Sequence, residues 1–307
     1  MSVAYAHNGS VELAYERIGA PDGEPLLLVT GLGGQLLDWP DGFCAALAAE
    51  GFSVIRFDNR DSGLSTHFDD RAAPSHWSSL ARGRSRRAPY EGTAFADDAV
   101  AVMDAAGWPS AHVVGISMGA AIAQLAAVRH PRRVRSMSLI GCLPPVGVRT
   151  LFHLRYGVFV SMARKRFPET REGAGERMVA LARALASPGH PFDEEWAREV
   201  GLRCHDRRPH DMRAERRQLA AARAARGWKP GRISVPTTVL YGADDPIIRP
   251  GGARAVARAI PGARLRTHPD MGHEIPENRW PDLVADIVAT TAEAPGVAAG
   301  LAWDPVT

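Results

Sequence analysis

Short apolar runs alternate with stretches of helical apolar spacing along most of the chain. Residues 26–29 (LLLV) are continuously apolar, which is typical of a strand buried on both faces of a sheet. Strands that alternate with helices in this way predict an α/β fold with a mostly parallel central sheet and right-handed crossovers. The predicted strands are residues 11–18, 26–29, 53–57, 112–115, 134–140, 237–241 and 263–267, and the predicted helices are residues 36–50, 94–106, 118–129, 252–259 and 280–292.

The alternation is interrupted between residues 144 and 232. This segment contains no convincing strand, is rich in arginine and is punctuated by prolines. We interpret it as a helical insertion in a single α/β domain, whose core consists of residues 1–143 and 233–292. Residues 293–307 are rich in alanine, glycine and proline, and we expect them to form a disordered tail.

The strongest local motif is GISMG at residues 115–119. A predicted strand ends just before it and an alanine-rich predicted helix follows, which is the context of a nucleophile elbow. Such a turn holds its serine at a helix start, where NH groups and the helix dipole favour a developing oxyanion. We therefore predict that Ser117 is a nucleophile. The alternative is a serine that only caps the helix.

A serine hydroxyl needs a base, and the base needs an acid that orients it. In this kind of fold they follow in the order Ser, Asp, His. Asp244 and Asp245 follow the predicted strand at residues 237–241, at the sheet edge where catalytic groups collect. We predict that Asp245 is the acid and keep Asp244 as the alternative. His273 follows the last predicted strand, and its position singles it out among 11 histidines as the base.

The glycine-rich segment TGLGG at residues 30–34 follows a predicted central strand. A loop in this place normally supplies the second donor of an oxyanion hole. We predict that the two donors are the backbone NH groups of Leu32 and Met118. A dinucleotide-binding loop is the alternative, but the segment lacks the last glycine of G-x-G-x-x-G. The segment HEIPE at residues 273–277 is not a zinc motif either, so we expect no metal and no cofactor.

Composition limits the kinds of partner and the cellular compartment that we expect for this protein. Hydrophobic residues make up 45% of the 307 and charged residues 23%, which excludes wholesale disorder. No apolar run approaches the 18 residues of a membrane span, and the first residues do not resemble a secretory signal. Three widely spaced cysteines are typical of a reducing compartment. We therefore expect a cytoplasmic protein without a membrane partner.

The basic residues are almost all arginines, and many lie at residues 82–87 and 203–226. A basic strip could bind nucleic acid. Acidic residues interleave with these arginines, no binding motif accompanies them, and the net charge is only +3. We therefore interpret both strips as solvated surface and expect no nucleic-acid partner. The sequence leaves a homodimer open.

The motifs together resemble the α/β-hydrolase family, over residues 26 to about 289. The segments LLLVTGLGG, VIRFDNRDSGLST, HVVGISMGAAIAQ, TTVLYGADDPIIRP and DMGHEIPE occur in the family's order. A WP pair at residues 39–40 and the pattern D-x-R-D-x-G-x-S at residues 58–65 resemble bacterial serine esterases similar to aclacinomycin methylesterase. The resemblance implies the α/β-hydrolase fold, with residues 144–232 as a helical cap inserted after the sixth strand. It also implies that Ser117, Asp245 and His273 are the nucleophile, acid and base.

These observations predict a serine hydrolase that cleaves a small-molecule carboxylic ester through an acyl-enzyme. One alternative is an aminopeptidase of the proline iminopeptidase type, in which Asp193, Glu194 and Glu195 would hold the substrate amine. A second is a cofactor-free perhydrolase, which the same triad supports. A third, from another functional class, is a non-catalytic ligand-binding protein on the same fold.

Overall fold

A single eight-stranded sheet organises the molecule. The structure is a computed structural model and describes residues 2–72, 88–144, 152–189, 192–225 and 227–295. The strand order is β1-β2-β4-β3-β5-β6-β7-β8, in which the first two strands are antiparallel to their neighbours and the other six are parallel. The strands are β1 (Ala4–Asn8), β2 (Val11–Ile18), β3 (Glu24–Val29), β4 (Phe52–Phe57), β5 (Ala111–Ile116), β6 (Val134–Ile140), β7 (Thr237–Gly242) and β8 (Arg264–His268).

Helices cover both faces of the sheet, which is why its central strands are almost entirely buried. Leu26, Leu27, Leu28 and Val29 of β3 are all fully buried and point alternately into two apolar clusters. One cluster packs under three helices and the other under two. The helices of the first face are α2 (Ala94–Ala105), α3 (Met118–Arg129) and α8 (Pro250–Ala259), and those of the second are α1 (Asp41–Ala49) and α9 (Trp280–Ala292).

Four more helices lie between β6 and β7, and we call residues 152–225 the helical insert. A small apolar cluster joins the insert to the turn after β3, with Leu36 and Leu37 against Val200 and Cys204. Side chains of Thr170, Asp193 and Asp211 cap three of the helices by accepting backbone NH groups. The helices are α4 (Gly157–Arg164), α5 (Arg171–Leu185), α6 (Glu194–Arg207) and α7 (Met212–Ala224).

The structure confirms the predicted fold class: a mostly parallel α/β sheet with helices inserted after the sixth strand. The sequence missed one strand, and one local prediction is wrong. Strand β1 was not predicted, because its sequence AYAHN lacks a distinct apolar run. The predicted helix at residues 36–50 is a 3₁₀ turn at Leu36–Asp38 followed by α1, because Pro40 interrupts it.

The interpretation of residues 203–226 as solvated surface is also wrong in part. Arg217 is fully buried, and Arg207 is largely buried against Asp58. Most of the expected tail, residues 296–307, and the other arginine strip, residues 82–87, lie outside the described residues. None of the helices in the described ranges combines the length and the apolar character that a membrane crossing requires.

Candidate active site

Ser117 lies at the turn between β5 and α3 in a strained backbone conformation. Its φ is 55° and its ψ is −115°, a combination that non-glycine residues rarely adopt. Its NH donates to the carbonyl oxygen of Ile140 at 2.9 Å, which ties the turn to the end of β6. Strain of this kind costs about 1–3 kcal/mol and concentrates at functional sites.

The two glycines of GISMG allow the turn to close. A Cβ on Gly115 would overlap the backbone of Gly119, and one on Gly119 would overlap the carbonyl of Val29. Helix α3 therefore approaches both β5 and the end of β3 more closely than any side chain would permit. Backbone packing therefore requires both glycines of the motif.

His273 and Asp245 form a buried hydrogen-bonded pair. The distance between Nδ1 of His273 and Oδ2 of Asp245 is 2.8 Å, and Asp245 is fully buried. The other carboxylate oxygen, Oδ1, accepts the NH groups of Ile247 and Ile248 at 2.8 and 2.7 Å. Three hydrogen bonds thus fix the orientation of the Asp245 side chain. Nε2 of His273 is buried and has no hydrogen-bond partner among the described residues.

The neighbouring Asp244, the alternative acid, points elsewhere. Its Oδ2 accepts the hydroxyl of Ser187 at 2.6 Å, so its side chain contacts the helical insert and not His273. Of the two aspartates, Asp245 is the one that the structure brings to the imidazole.

Gly141, which sequence reasoning missed, lies in the turn after β6, and this turn contacts both His273 and Ser117. Its φ is +51°, and a Cβ there would lie 2.9 Å from the imidazole of His273. The preceding residue, Ile140, accepts the NH of Ser117. A glycine directly after a buried strand is the signal that could have identified this position. The next residue, Cys142, is buried, and burial raises the pKa of its thiol to about 12, so it is not a competing nucleophile.

The glycine-rich loop lies against Ser117. A Cβ on Gly31 would lie 3.5 Å from the Cβ of Ser117. In the described part of the chain, the NH groups of Leu32 and Met118 donate to no protein acceptor, which leaves both available for a ligand oxygen. Met118 is the first residue of α3, where helical NH groups are unsatisfied.

Polar side chains from the loop after β4 hold the glycine-rich loop. Asn59 donates to both the carbonyl and the hydroxyl of Thr30, and Ser62 donates to the carbonyl of Gly34. Asp58 accepts the NH of Leu36 at 2.7 Å. These residues are buried, so their contacts are structural supports of the loop.

The helical insert also contacts the loop after β8, which carries His273. The NH of His273 donates to the carbonyl of Leu185 at 2.8 Å, and the NH of Ser187 donates to Glu274 at 3.0 Å. A Cβ on Gly272 would overlap the Leu185 carbonyl, which accounts for the glycine before the histidine. The segment that follows α5 therefore sets the position of this loop.

One group of side chains among the described residues has the geometry of a cation site. His67, Asp69 and Asp211 lie close together, but Arg217 donates to both carboxylates and Arg208 pairs with Asp69. These arginines already neutralise the carboxylates, so the group is better explained as an ion-pair network than as a metal site.

Comparisons with known proteins identify the family of the chain. Residues 24–279 match the model of the alpha/beta hydrolase fold family. The rhodomycin D methylesterase of Streptomyces peucetius is 32% identical over 94% of this chain and 97% of its own length. The solved enol-lactonase from Burkholderia xenovorans LB400 aligns at a TM-score of 0.68 with 25% identity, covering 94% of this chain and all of that one. An esterase from Rhodococcus sp. ECU1013 aligns at a TM-score of 0.71 with 20% identity, covering 96% of this chain and 100% of its own, and shows the same fold. The chain belongs to the alpha/beta hydrolase fold family.

Proposed function

We propose that the chain is a serine esterase that cleaves a small-molecule carboxylic ester through an acyl-enzyme intermediate. Ser117 is the nucleophile, His273 the general base and Asp245 the acid that orients the imidazole. The observation that carries the proposal is the buried His273–Asp245 pair, at 2.8 Å, packed against Gly141 in the turn whose Ile140 carbonyl accepts the NH of the strained Ser117. The methylesterase relative supports an ester substrate with a small alcohol group.

The arrangement supports a two-step reaction. Asp245 accepts a hydrogen bond from the Nδ1–H of His273, which leaves Nε2 free to take the proton of the Ser117 hydroxyl. The serine oxygen attacks the ester carbonyl, and the NH groups of Leu32 and Met118 stabilise the negative oxygen that forms. The imidazolium returns its proton to the leaving alcohol. A water molecule, deprotonated by His273, then attacks the acyl-enzyme and releases the acid.

The surface geometry gives no support to the aminopeptidase alternative. Asp193 caps α6 by accepting the NH of Trp196, and Glu194 pairs with Arg183 and Arg198 at the exposed surface. Carboxylates that bind a substrate amine should be free and directed into the site. The cofactor-free perhydrolase would use the same triad, and an assay of peroxide-dependent halogenation would reveal it.

Replacement of the nucleophile tests the proposal. We expect Ser117→Ala to lower turnover of p-nitrophenyl acetate, butyrate and octanoate by about 10⁴-fold or more with the fold intact. A fluorophosphonate probe should label Ser117 in the wild type and block turnover. Ser53→Ala is the matched control, because Ser53 is fully buried and its hydroxyl has no partner among the described residues. Near-normal activity of Ser117→Ala would refute the assignment.

A further inference from the structure

The glycine-rich loop that carries Leu32 has little conformational restraint of its own. Three of the four residues from Gly31 to Gly34 are glycines, and Gly33 has a φ of +69°. The only hydrogen bond within the loop is long, 3.4 Å from the NH of Gly34 to the carbonyl of Gly31. Glycine loses more conformational freedom on ordering than any other residue, so this loop needs supports from outside.

The core supports the two ends of the loop and leaves its middle to another element. Asn59 holds Thr30 at the start, and Ser62 holds the carbonyl of Gly34 at the end. Between them, the NH of Gly33 donates to Oε1 of Gln218 at 2.9 Å. Gln218 belongs to α7, so this middle support comes from the helical insert.

Gln218 is fully buried, and both the oxygen and the nitrogen of its side-chain amide form hydrogen bonds. While Oε1 accepts from Gly33, Nε2 donates to the carbonyl of Arg60 at 2.7 Å. The side chain thus spans the glycine-rich loop and the loop after β4. The bond to Arg60 is buried and the bond to Gly33 is partly buried, and together they define the orientation of the amide.

We propose that Gln218 is a positioning residue for the oxyanion hole. Its bond to Gly33 fixes the plane of the Leu32–Gly33 peptide and so restricts the backbone of Leu32. That restriction holds the Leu32 NH toward the oxygen of a tetrahedral intermediate. The helical insert therefore contributes to the stabilisation of the transition state. This inference rests on the proposed function, since it assigns a role in the same oxyanion hole.

The position of α7 on the core explains how the Gln218 amide reaches the glycine-rich loop. The adjacent Arg217 forms a fully buried ion pair with Asp61, with distances of 2.7 to 3.1 Å. This pair anchors the helix on the core at the position next to Gln218. The amide then lies at a fixed distance from Gly33 as long as the insert remains in place.

Steady-state kinetics and a transition-state analogue test the role of Gln218. The substrate is p-nitrophenyl butyrate, and the analogue is an alkyl trifluoromethyl ketone, to which the Ser117 oxygen adds reversibly. In that adduct the serine proton moves to His273 and the ketone oxygen becomes the oxyanion. We expect Gln218→Leu, which removes both hydrogen bonds, to lower kcat about 10- to 100-fold and to lower the affinity for the analogue by a similar factor. KM should change little, because ground-state binding does not use the oxyanion donors.

Two further variants separate positioning from general packing. Gln218→Glu keeps an acceptor for Gly33, so the analogue should bind within about threefold of its wild-type affinity. Gln124→Leu is the matched control: Gln124 is also fully buried, but its amide donates only within α3, to the carbonyl of Ala120. That variant should keep both kcat and analogue affinity.

The outcomes distinguish this inference from the proposed function. If the fluorophosphonate labels Ser117 but folded Gln218→Leu keeps its kcat and analogue affinity, the positioning role is refuted and the esterase stands. Equal losses in Gln218→Leu and Gln124→Leu would also refute it, since they would reflect packing alone. If the leucine variant does not fold, Gln218→Asn, whose shorter amide cannot reach Gly33, must show the same weakening of the analogue. A wild type that is neither labelled nor active refutes the proposed function itself.

Discussion

At the scale of single residues, the most informative contrast is between two adjacent aspartates. Asp245 is fully buried and contacts the imidazole, whereas Asp244 contacts Ser187 of the insert. The sequence favoured Asp245 but could not exclude Asp244, because both follow the same strand. Side-chain direction at a strand end is set by the turn geometry, here by the two NH groups that Asp245 accepts.

Isosteric amides at these two positions test the contrast. We expect Asp245→Asn to lower kcat for p-nitrophenyl esters by about 10⁴-fold, because an amide in place of the carboxylate favours the wrong imidazole tautomer. Asp244→Asn should lose less than about tenfold, since it keeps a hydrogen-bond acceptor for Ser187. Steady-state kinetics of both variants provides the measurement. Equal losses in the two variants would contradict the roles assigned to them.

At the scale of elements, hydrophobic periodicity predicted most strands and helices, because their apolar faces are their most regular feature. It failed where a different property decides the structure. Strand β1 is an edge strand with mixed composition, and Pro40 divides the helical spacing of residues 36–50. Polar residues that face inward from a helix were also missed, because an arginine-rich helix such as α7 has the composition of a solvated one.

Arg217 is the clearest of these missed residues, and its ion pair with Asp61 should anchor α7. Arg217→Met would leave the Asp61 carboxylate buried without its partner, so we expect a loss of about 3–5 kcal/mol in the free energy of unfolding. Chemical denaturation measures this loss. Arg183→Met removes an exposed pair with Glu194 and should change stability little. A stable Arg217→Met protein would show that the pair does not hold the helix.

At the scale of the whole molecule, the candidate site is assembled by the core and the insert together. Arg155 donates to the carbonyl of Asp245 at 2.6 Å, Leu185 accepts the NH of His273, and Gln218 accepts the NH of Gly33. The insert thus contacts the loop that carries Asp245, the loop that carries His273 and the glycine-rich loop. Sequence patterns located these loops in the core, but the contacts between distant segments depend on tertiary packing that periodicity does not encode.

A carboxyl group beside the glycine-rich loop, that of Asp38, makes the stability of the protein depend on pH. Burial raises the pKa of Asp38, beside Gly34, from its ordinary value of 3.8 to about 7, although Arg177 opposes the shift. Between about pH 4 and pH 7 the folded protein therefore keeps a proton that the unfolded chain releases, and stability falls as the pH rises through this window. Asp38→Asn mimics the protonated form, so it should be more stable than the wild type at pH 8.

Thermal unfolding at a series of pH values checks this prediction. The difference in Tm between Asp38→Asn and the wild type should be small near pH 4 and should grow in favour of the variant up to about pH 7. Asp22→Asn, on an exposed turn, serves as the control and should change Tm little at any pH. A difference that shrinks with rising pH would mean that Asp38 is stabilised in its charged form.

The backbone angle of Ser117 has a consequence for how this sequence can evolve. At a φ of 55° and a ψ of −115°, glycine would relieve the strain, so the residue that suits the fold best is not the one that can attack an ester. Selection for stability alone would replace the serine and leave a folded, inert descendant. The proposed chemistry, and not the stability of the fold, therefore accounts for a serine at this position.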